Sequence, residues 1–336
     1  MRASQENSCR NLEGSSKMRY YSLDAIRGLA AIAVVHFHMG LIWHVAPFGY
    51  LAVDFFFALS GFVTETVYGP RFKAGMTAPG FFAVRIRRLY PVFFVGILLG
   101  AFIIVAKVFA GIDRPPAWTI PLNMAVLPAP VPGDYFPVNV PCWTLFLEFV
   151  AYFLYAVFRR YLTPSVLLLT TVISGAVLLA SGDDLNVGST WDTIHIGVAR
   201  LGFAFPFGIL LARLGVRPFW QTWLALLPPA WLMITFYHAR ADTDVALLTL
   251  PMLLVWSISL EVPKKLQSIS RWLGDISYPL YIVHYPLLSA FQYFCREIGA
   301  TGPIAQIAGT VGLLAAAHMV AFWNSRHRVF AQNVGS

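Results

Sequence analysis

The chain has 336 residues, 58% hydrophobic and only 12% charged, with a net charge of +8. Soluble domains carry about 25% charged residues, so this composition excludes an ordinary soluble protein and describes a polytopic membrane protein of one domain. The positive balance alone would fit nucleic-acid binding, but its distribution along the chain assigns it to membrane topology and predicts no nucleic-acid partner.

The first stretch, "MRASQENSCRNLEGSSK" (1–17), is polar and is read as disordered. The expected tail covers 1–20, with Met18 as an alternative start. No small-x-small cleavage site follows the first apolar segment, so no cleavable leader is expected and that segment stays as the first span. A span needs about 20 mostly apolar residues. Ten such segments follow: 23–43, 48–68, 88–109, 140–158, 162–180, 195–213, 219–237, 243–260, 273–294 and 303–324. The predicted fold is all-α, a helical bundle of about ten transmembrane helices. The membrane domain covers 21–325 and a C-terminal tail covers 326–336. The longest outer loop, about 110–139, is rich in proline. Irregular loops of that length are more often functional than idle. Cys9, Cys142 and Cys295 are scattered, with no metal-ligand spacing and no disulfide framework.

With the N-terminus placed inside, 18 lysines and arginines fall on inner segments and 4 on outer ones. That asymmetry is the positive-inside pattern. It predicts cytoplasmic N- and C-termini in the inner membrane, with membrane lipid as a partner.

The first span reads "SLDAIRGLAAIAVVHFHMG" (22–40) and carries Asp24, Arg27, His36 and His38. Eleven helical residues turn through about 1100°, roughly 20° past three turns, so Arg27 and His38 share a face. Asp24 joins Arg27 at a spacing of three, while His36 points away. The rise from Arg27 to His38 is about 16 Å. Depth estimates bring Glu148, about 12 Å below its outer entry, level with His38 and His284, with Asp54 close by. A charge inside an apolar span costs roughly 2.5–3.5 kcal/mol on the insertion scale and marks a functional site by default. Simpler readings stand beside that one. His36 and His284 could each bond a neighbouring carbonyl. Asp54 could cap a helix or pair with an arginine. The arginines at 85–88 could serve topology alone. The residues thus predict a membrane protein with a buried His/Glu/Arg cluster, and leave transporter and enzyme both open.

Five segments in order resemble the motifs of one family, the membrane-bound acyltransferase 3 family of O-acyltransferases. "LDAIRGLAAIAVVHFH" is similar to its opening Arg-to-His motif, matched by Arg27 and His38. "GYLAVDFFFALSGFV" (49–63) resembles its second-helix signature, with Asp54 and Ser60. "RIRRLYP" (85–91) resembles its Arg-x-x-Arg motif, matched by Arg85 and Arg88. "NVPCWTLFLEFVAYFLY" (139–155) resembles its fourth-span motif, with Asn139, Trp143, Thr144 in a serine position, and Glu148. "LGDISYPLYIVHYPLL" (273–288) resembles its late motif, with Ser277, Tyr278, Tyr281, His284 and Pro286. The family's Glu-x-Pro after the last span has no counterpart in "AFWNSRHRVFAQNVGS", and no extra hydrolase-like domain is expected.

The resemblance implies acyl transfer, acetyl in most members, from cytoplasmic acyl-CoA as co-substrate to a carbohydrate hydroxyl, with no permanently bound cofactor and no metal. It implies His38 and Glu148 as catalytic residues, His38 taking the hydroxyl proton and Glu148 orienting its ring. Arg27, Arg85 and Arg88 would meet the donor. Asp54, Ser60, Asn139, Trp143, Tyr281 and His284 would serve substrate or structure. An acyl-His intermediate competes with direct transfer, and succinyl competes with acetyl. A glycan or acyl-donor transporter, or an inactive scaffold for polysaccharide export, are the rivals from other classes. A transporter predicts inverted repeats, which the chain does not display. Acceptor identity and oligomeric state are left open by the sequence.

Overall fold

The computed structural model describes residues 19–41, 45–112, 114–182, 185–215, 220–221, 223–237 and 243–334. The polar stretch 1–17 lies outside the described residues. The α-helices, in chain order, are α1 Tyr21–His38, α2 Ala52–Lys73, α3 Ala78–Phe109, the short α4 Thr119–Met124, α5 Cys142–Phe158 and α6 Pro164–Ser181. They continue with α7 Ile194–Arg213, α8 Leu227–Tyr237, α9 Thr243–Ser259, α10 Gln267–Glu297 and α11 Pro303–Val334. Each of the ten expected segments coincides with one of the helices other than α4. A two-residue parallel pair, Trp220–Gln221 with Leu260–Glu261, is the only sheet among the described residues.

Several ends differ from the sequence reading for local reasons. α1 stops at His38, and Met39–Leu41 tighten into a 3₁₀ turn around Gly40. α3 begins ten residues before the expected 88, capped by Thr77, whose hydroxyl accepts from the Gly80 amide at 3.3 Å, with Pro79 in its first turn. Arg85 and Arg88 therefore sit within a helix, not at its edge. α8 starts at Leu227 instead of 219, with Pro228 and Pro229 in its first turn. α11 runs on to Val334, about 48 Å, well past the expected boundary at 325.

Among the described residues, five helical segments are long and apolar enough to cross a membrane: Gly49–Lys73, Ala78–Phe109, Pro164–Ser181, Trp191–Arg213 and Pro303–Arg326. α6 shows how such a helix is built. Only Leu167, Thr171, Gly175 and Leu178 are buried, one stripe at spacings of four, four and three. That stripe packs on α7, and the remaining leucines and valines face outward, as lipid requires. α1 and α10 fail the same apolarity test. They carry ionisable groups and lie against each other in parallel, with Gly28 of α1 tight against Leu273 of α10. A helix sheltered by other helices has no need to be apolar all round, and these two carry much of the site.

α2 and α7 also run parallel. Their register is set by buried Asp54 with Arg200 near one end and by Glu65 with Arg213, 3.0 Å apart, at the other. Between the two pairs the backbones touch. A Cβ at Gly208 would run into the Ala58 carbonyl, and one at Gly61 into the Phe205 carbonyl. Gly208→Leu is expected to push these helices apart. The cost should match an overpacked core, about 1–3 kcal/mol or more, read as a lower melting temperature of the purified protein. A Gly208→Leu protein as heat-stable as wild type would contradict the close contact.

The Pro-rich loop is docked, not trailing. Asn123 is fully buried; its side chain donates to the Leu127 and Tyr135 carbonyls at 3.1 and 3.3 Å and accepts from the Val138 amide at 3.2 Å. Tyr135 donates to the Gly188 carbonyl at 2.8 Å, and Asp134 bridges to Thr190. Burial, helped by Asp134, pushes the Tyr135 hydroxyl above its ordinary value, so it stays a neutral donor.

Candidate active site

A cavity of about 600 Å³ lies among α1, α2, α3, α5, α10 and α11. Arg27, Arg85 and Arg88 line it, as do Ser60, Glu148 and Tyr281.

The arginines enter it differently. Arg27 of α1 donates to the Gly274 carbonyl of α10 at 2.5 Å and pairs with Asp24 at 3.3 Å, while its Nε is buried without a partner. Asp24 is shared with Arg19 at 2.5 Å. Arg85 is buried, donates to Thr64 at 2.6 Å, and lies over the rings of Tyr152 at 4.1 Å and Tyr68 at 5.1 Å. No carboxylate pairs with Arg85 among the described residues, and its Nε has no partner either. A guanidinium left with aromatic faces and open donors in a cavity wall has the chemistry to hold an anion. Arg88 is exposed on the same wall, while Arg87 is exposed away from the cavity.

Glu148 does not reach His38. Its carboxylate accepts from the hydroxyls of Ser60 and Tyr152, and the three side chains form one cluster on the cavity wall. The depth estimate placed Glu148 near His38 because it assumed straight spans and carried no information about which face each residue occupies. Glu148 turns toward α2, not toward α1.

His38 pairs with His284 instead, ring nitrogens 3.3 Å apart, with Tyr285 edge-on at 5.5 Å. The geometry fixes the tautomers of the neutral rings. Nδ1 of His284 lies 2.7 Å from the Tyr281 carbonyl, which can only accept, so that nitrogen carries the hydrogen. Nε2 of His284 is then a lone pair, and it faces Nδ1 of His38. Nδ1 of His38 also meets the Val34 carbonyl at 2.9 Å. Two acceptors converge on it, so it carries the hydrogen and leaves Nε2 of His38 as the basic nitrogen. His36 lies on another face, as its spacing predicts, bonded to Tyr237 at 2.5 Å and Thr310 at 3.0 Å.

Tyr281 stands between the cavity and the histidines. Its hydroxyl meets Thr144 at 2.9 Å, its ring packs on Phe56 at 5.6 Å, and its carbonyl holds His284. Asn139 is wholly buried and donates to the Ile282 carbonyl at 2.9 Å, pinning α10 at the residue after Tyr281.

Asp54 is away from this cluster. Both its oxygens are taken by Arg200, at 2.9 and 2.7 Å, and Arg200 also donates to the carbonyls of Val187 at 3.0 Å and Tyr50 at 3.1 Å. Trp143 packs on Phe57 at 6.3 Å and lies 5.7 Å from the Arg200 guanidinium. Both residues brace α2 and α7 rather than line the cavity. Arg200 and Tyr152 are the residues sequence reasoning passed over. An arginine inside an apolar run was the signal for the first. The four-residue step from Glu148, which puts two side chains on one face, was the signal for the second. No group of three or more possible metal ligands occurs among the described residues.

Comparison with known proteins gives these features a context. The family profile Acyl_transf_3, described as an acyltransferase domain, matches residues 20–322. Protein 2 in the picA locus of Rhizobium radiobacter is 34% identical over 181 residues, 48% of this chain and 94% of that protein. Peptidoglycan O-acetyltransferase OatA of Listeria monocytogenes serovar 1/2a is 34% identical over 80 residues, 23% of this chain and 12% of that protein. No solved structure matches.

Proposed function

The chain belongs to the acyltransferase 3 family, and from that membership we propose that it is an O-acyltransferase of the cytoplasmic membrane. It moves an acyl group, acetyl in the first instance, from cytoplasmic acyl-CoA to a hydroxyl of a carbohydrate such as exopolysaccharide or lipopolysaccharide. The protein crosses the membrane about ten times with both termini inside. One observation carries the reading: a cavity with three arginines on its wall also reaches Tyr281, whose carbonyl holds the His284 that pairs with His38. The similarity to a peptidoglycan O-acetyltransferase supports the acetyl group and the glycan.

The chemistry follows from the tautomers. Nε2 of His38 takes the proton of the acceptor hydroxyl as its oxygen attacks the thioester carbonyl. The C–S bond breaks, the acyl group stays on the acceptor oxygen, and the leaving thiolate recovers the proton from the imidazolium. His284 holds the Nδ1 hydrogen of His38 throughout. Arg27, Arg85 and Arg88 meet the phosphates of the donor.

The test is sidedness. In sealed vesicles of known orientation, labelled acetyl-CoA on the cytoplasmic face will label a glycan acceptor enclosed on the other. Labelling that requires donor and acceptor on the same face overturns the transmembrane reading. Uptake of glycan without thioester cleavage makes the protein a transporter.

A further inference from the structure

Glu148 keeps one side open. An ionised carboxylate offers about four acceptor positions over its two oxygens. Its Oε1 takes the hydroxyls of Ser60 and Tyr152. Its Oε2 meets no protein donor among the described residues, and the side chain is part-exposed on the cavity wall. Two donors on one oxygen fix the direction of the other. No arginine, lysine or histidine pairs with Glu148 among the described residues; the guanidinium of Arg85 sits across the ring of Tyr152. A half-buried carboxylate oxygen turned to a cavity is open to a donor on a ligand.

Two properties of the cavity narrow what that donor is. Three arginines line the cavity against the two carboxylates of Glu148 and Asp275, so its net charge favours an anionic end on the ligand. Most of the remaining lining is apolar or hydroxylic, with Phe56, Val53 and Leu145 beside Thr144 and Ser60. A neutral N–H on a flexible chain that trails an anionic group satisfies both. The linker arm of a coenzyme A thioester has that chemistry: two secondary amides between phosphate and sulfur.

We propose that Glu148 binds a secondary-amide N–H of the donor's linker arm through Oε2, with Ser60 and Tyr152 as positioning residues. The inference rests on the acyl-CoA reading above and gives Glu148 a task other than orienting His38. Tyr152 ties two subsites together. Its ring carries Arg85, which meets the phosphate, and its hydroxyl carries Glu148, which meets the amide. One buried side chain thereby sets the spacing between anion site and amide site.

The experiment compares two probes by calorimetry on purified protein in detergent: coenzyme A, and adenosine 3′,5′-bisphosphate, which lacks the arm. Glu148→Gln keeps the shape but turns an amide N–H₂ toward the cavity once its oxygen accepts from Ser60 and Tyr152. It is expected to weaken coenzyme A about tenfold or more, the scale of a lost charge-assisted hydrogen bond, and to leave the bisphosphate unchanged. Tyr152→Phe keeps the ring on Arg85 and removes one hydroxyl, so a smaller loss of about threefold, again confined to coenzyme A, is expected. Equal losses for both probes, or no loss for either, overturn the amide subsite. A Glu148→Gln protein that binds both probes as wild type but fails to turn over overturns it in favour of a direct chemical role. Wild type that binds neither probe overturns the acyl-CoA reading, and the subsite with it.

Discussion

His38→Ala will lose acyl transfer by about 10²–10⁴-fold, the contribution of a positioned general base, and will bind coenzyme A as wild type does. The two halves of that expectation come from one geometric fact. His38 lies at the last turn of α1 against His284 and does not line the cavity with the arginines. The measurement is release of free thiol with donor and acceptor both present, set beside calorimetric binding of coenzyme A. His284→Ala will cost less, about tenfold, because the Val34 carbonyl still holds the Nδ1 hydrogen of His38. His284→Gln will recover part of that loss, since its amide oxygen can accept the same hydrogen. A His38→Ala protein that transfers at the wild-type rate removes this histidine from the chemistry. Wild type without acceptor separates the two routes: one retained equivalent of acyl label per protein means an acyl-His intermediate, none means direct transfer.

The two histidines also show what a string of letters can carry. An 11-residue step from Arg27 separates His38 from His36, and the structure seats them on different neighbours: His38 on His284, His36 on Tyr237 and Thr310. Helical periodicity is a local property, so it was legible. The partnership of Glu148 was not. Depth along a span follows from counting residues, but the direction a residue faces depends on which helices pack together. Glu148 and His38 were matched by depth and by an expected orienting role, and neither carries the direction a side chain faces; Glu148 turns toward Ser60 of α2. Charge inside an apolar span was the better guide. α1 and α10 carry ionisable groups, and the cavity and the histidines lie against them. The ends of helices were set by proline and glycine and were recoverable in part: Thr77 and Pro79 announce the start of α3, but the arginines at 85–88 drew the expected start past them.

Asp54 and Arg200 supply the second large effect, and it is one of stability. Removing either partner alone will destabilise the protein by about 3–5 kcal/mol, because the other charge is left buried and unpaired. Arg200 is 1% exposed and Asp54 4%, so water cannot take the missing partner's place. Asp54→Asn and Arg200→Met will each lower the melting temperature of the purified protein, and Arg200→Met will cost more, since the Tyr50 and Val187 carbonyls also lose their donor. The double variant Asp54→Leu/Arg200→Met removes both charges and will be more stable than Arg200→Met alone. That non-additivity is the signature of a direct pair. Coenzyme A binding by the folded fraction will be unchanged, because neither residue lines the cavity. Two outcomes would move Asp54 from the scaffold into the site: single variants that melt with wild type, or an Asp54→Asn protein of normal stability that no longer binds the donor.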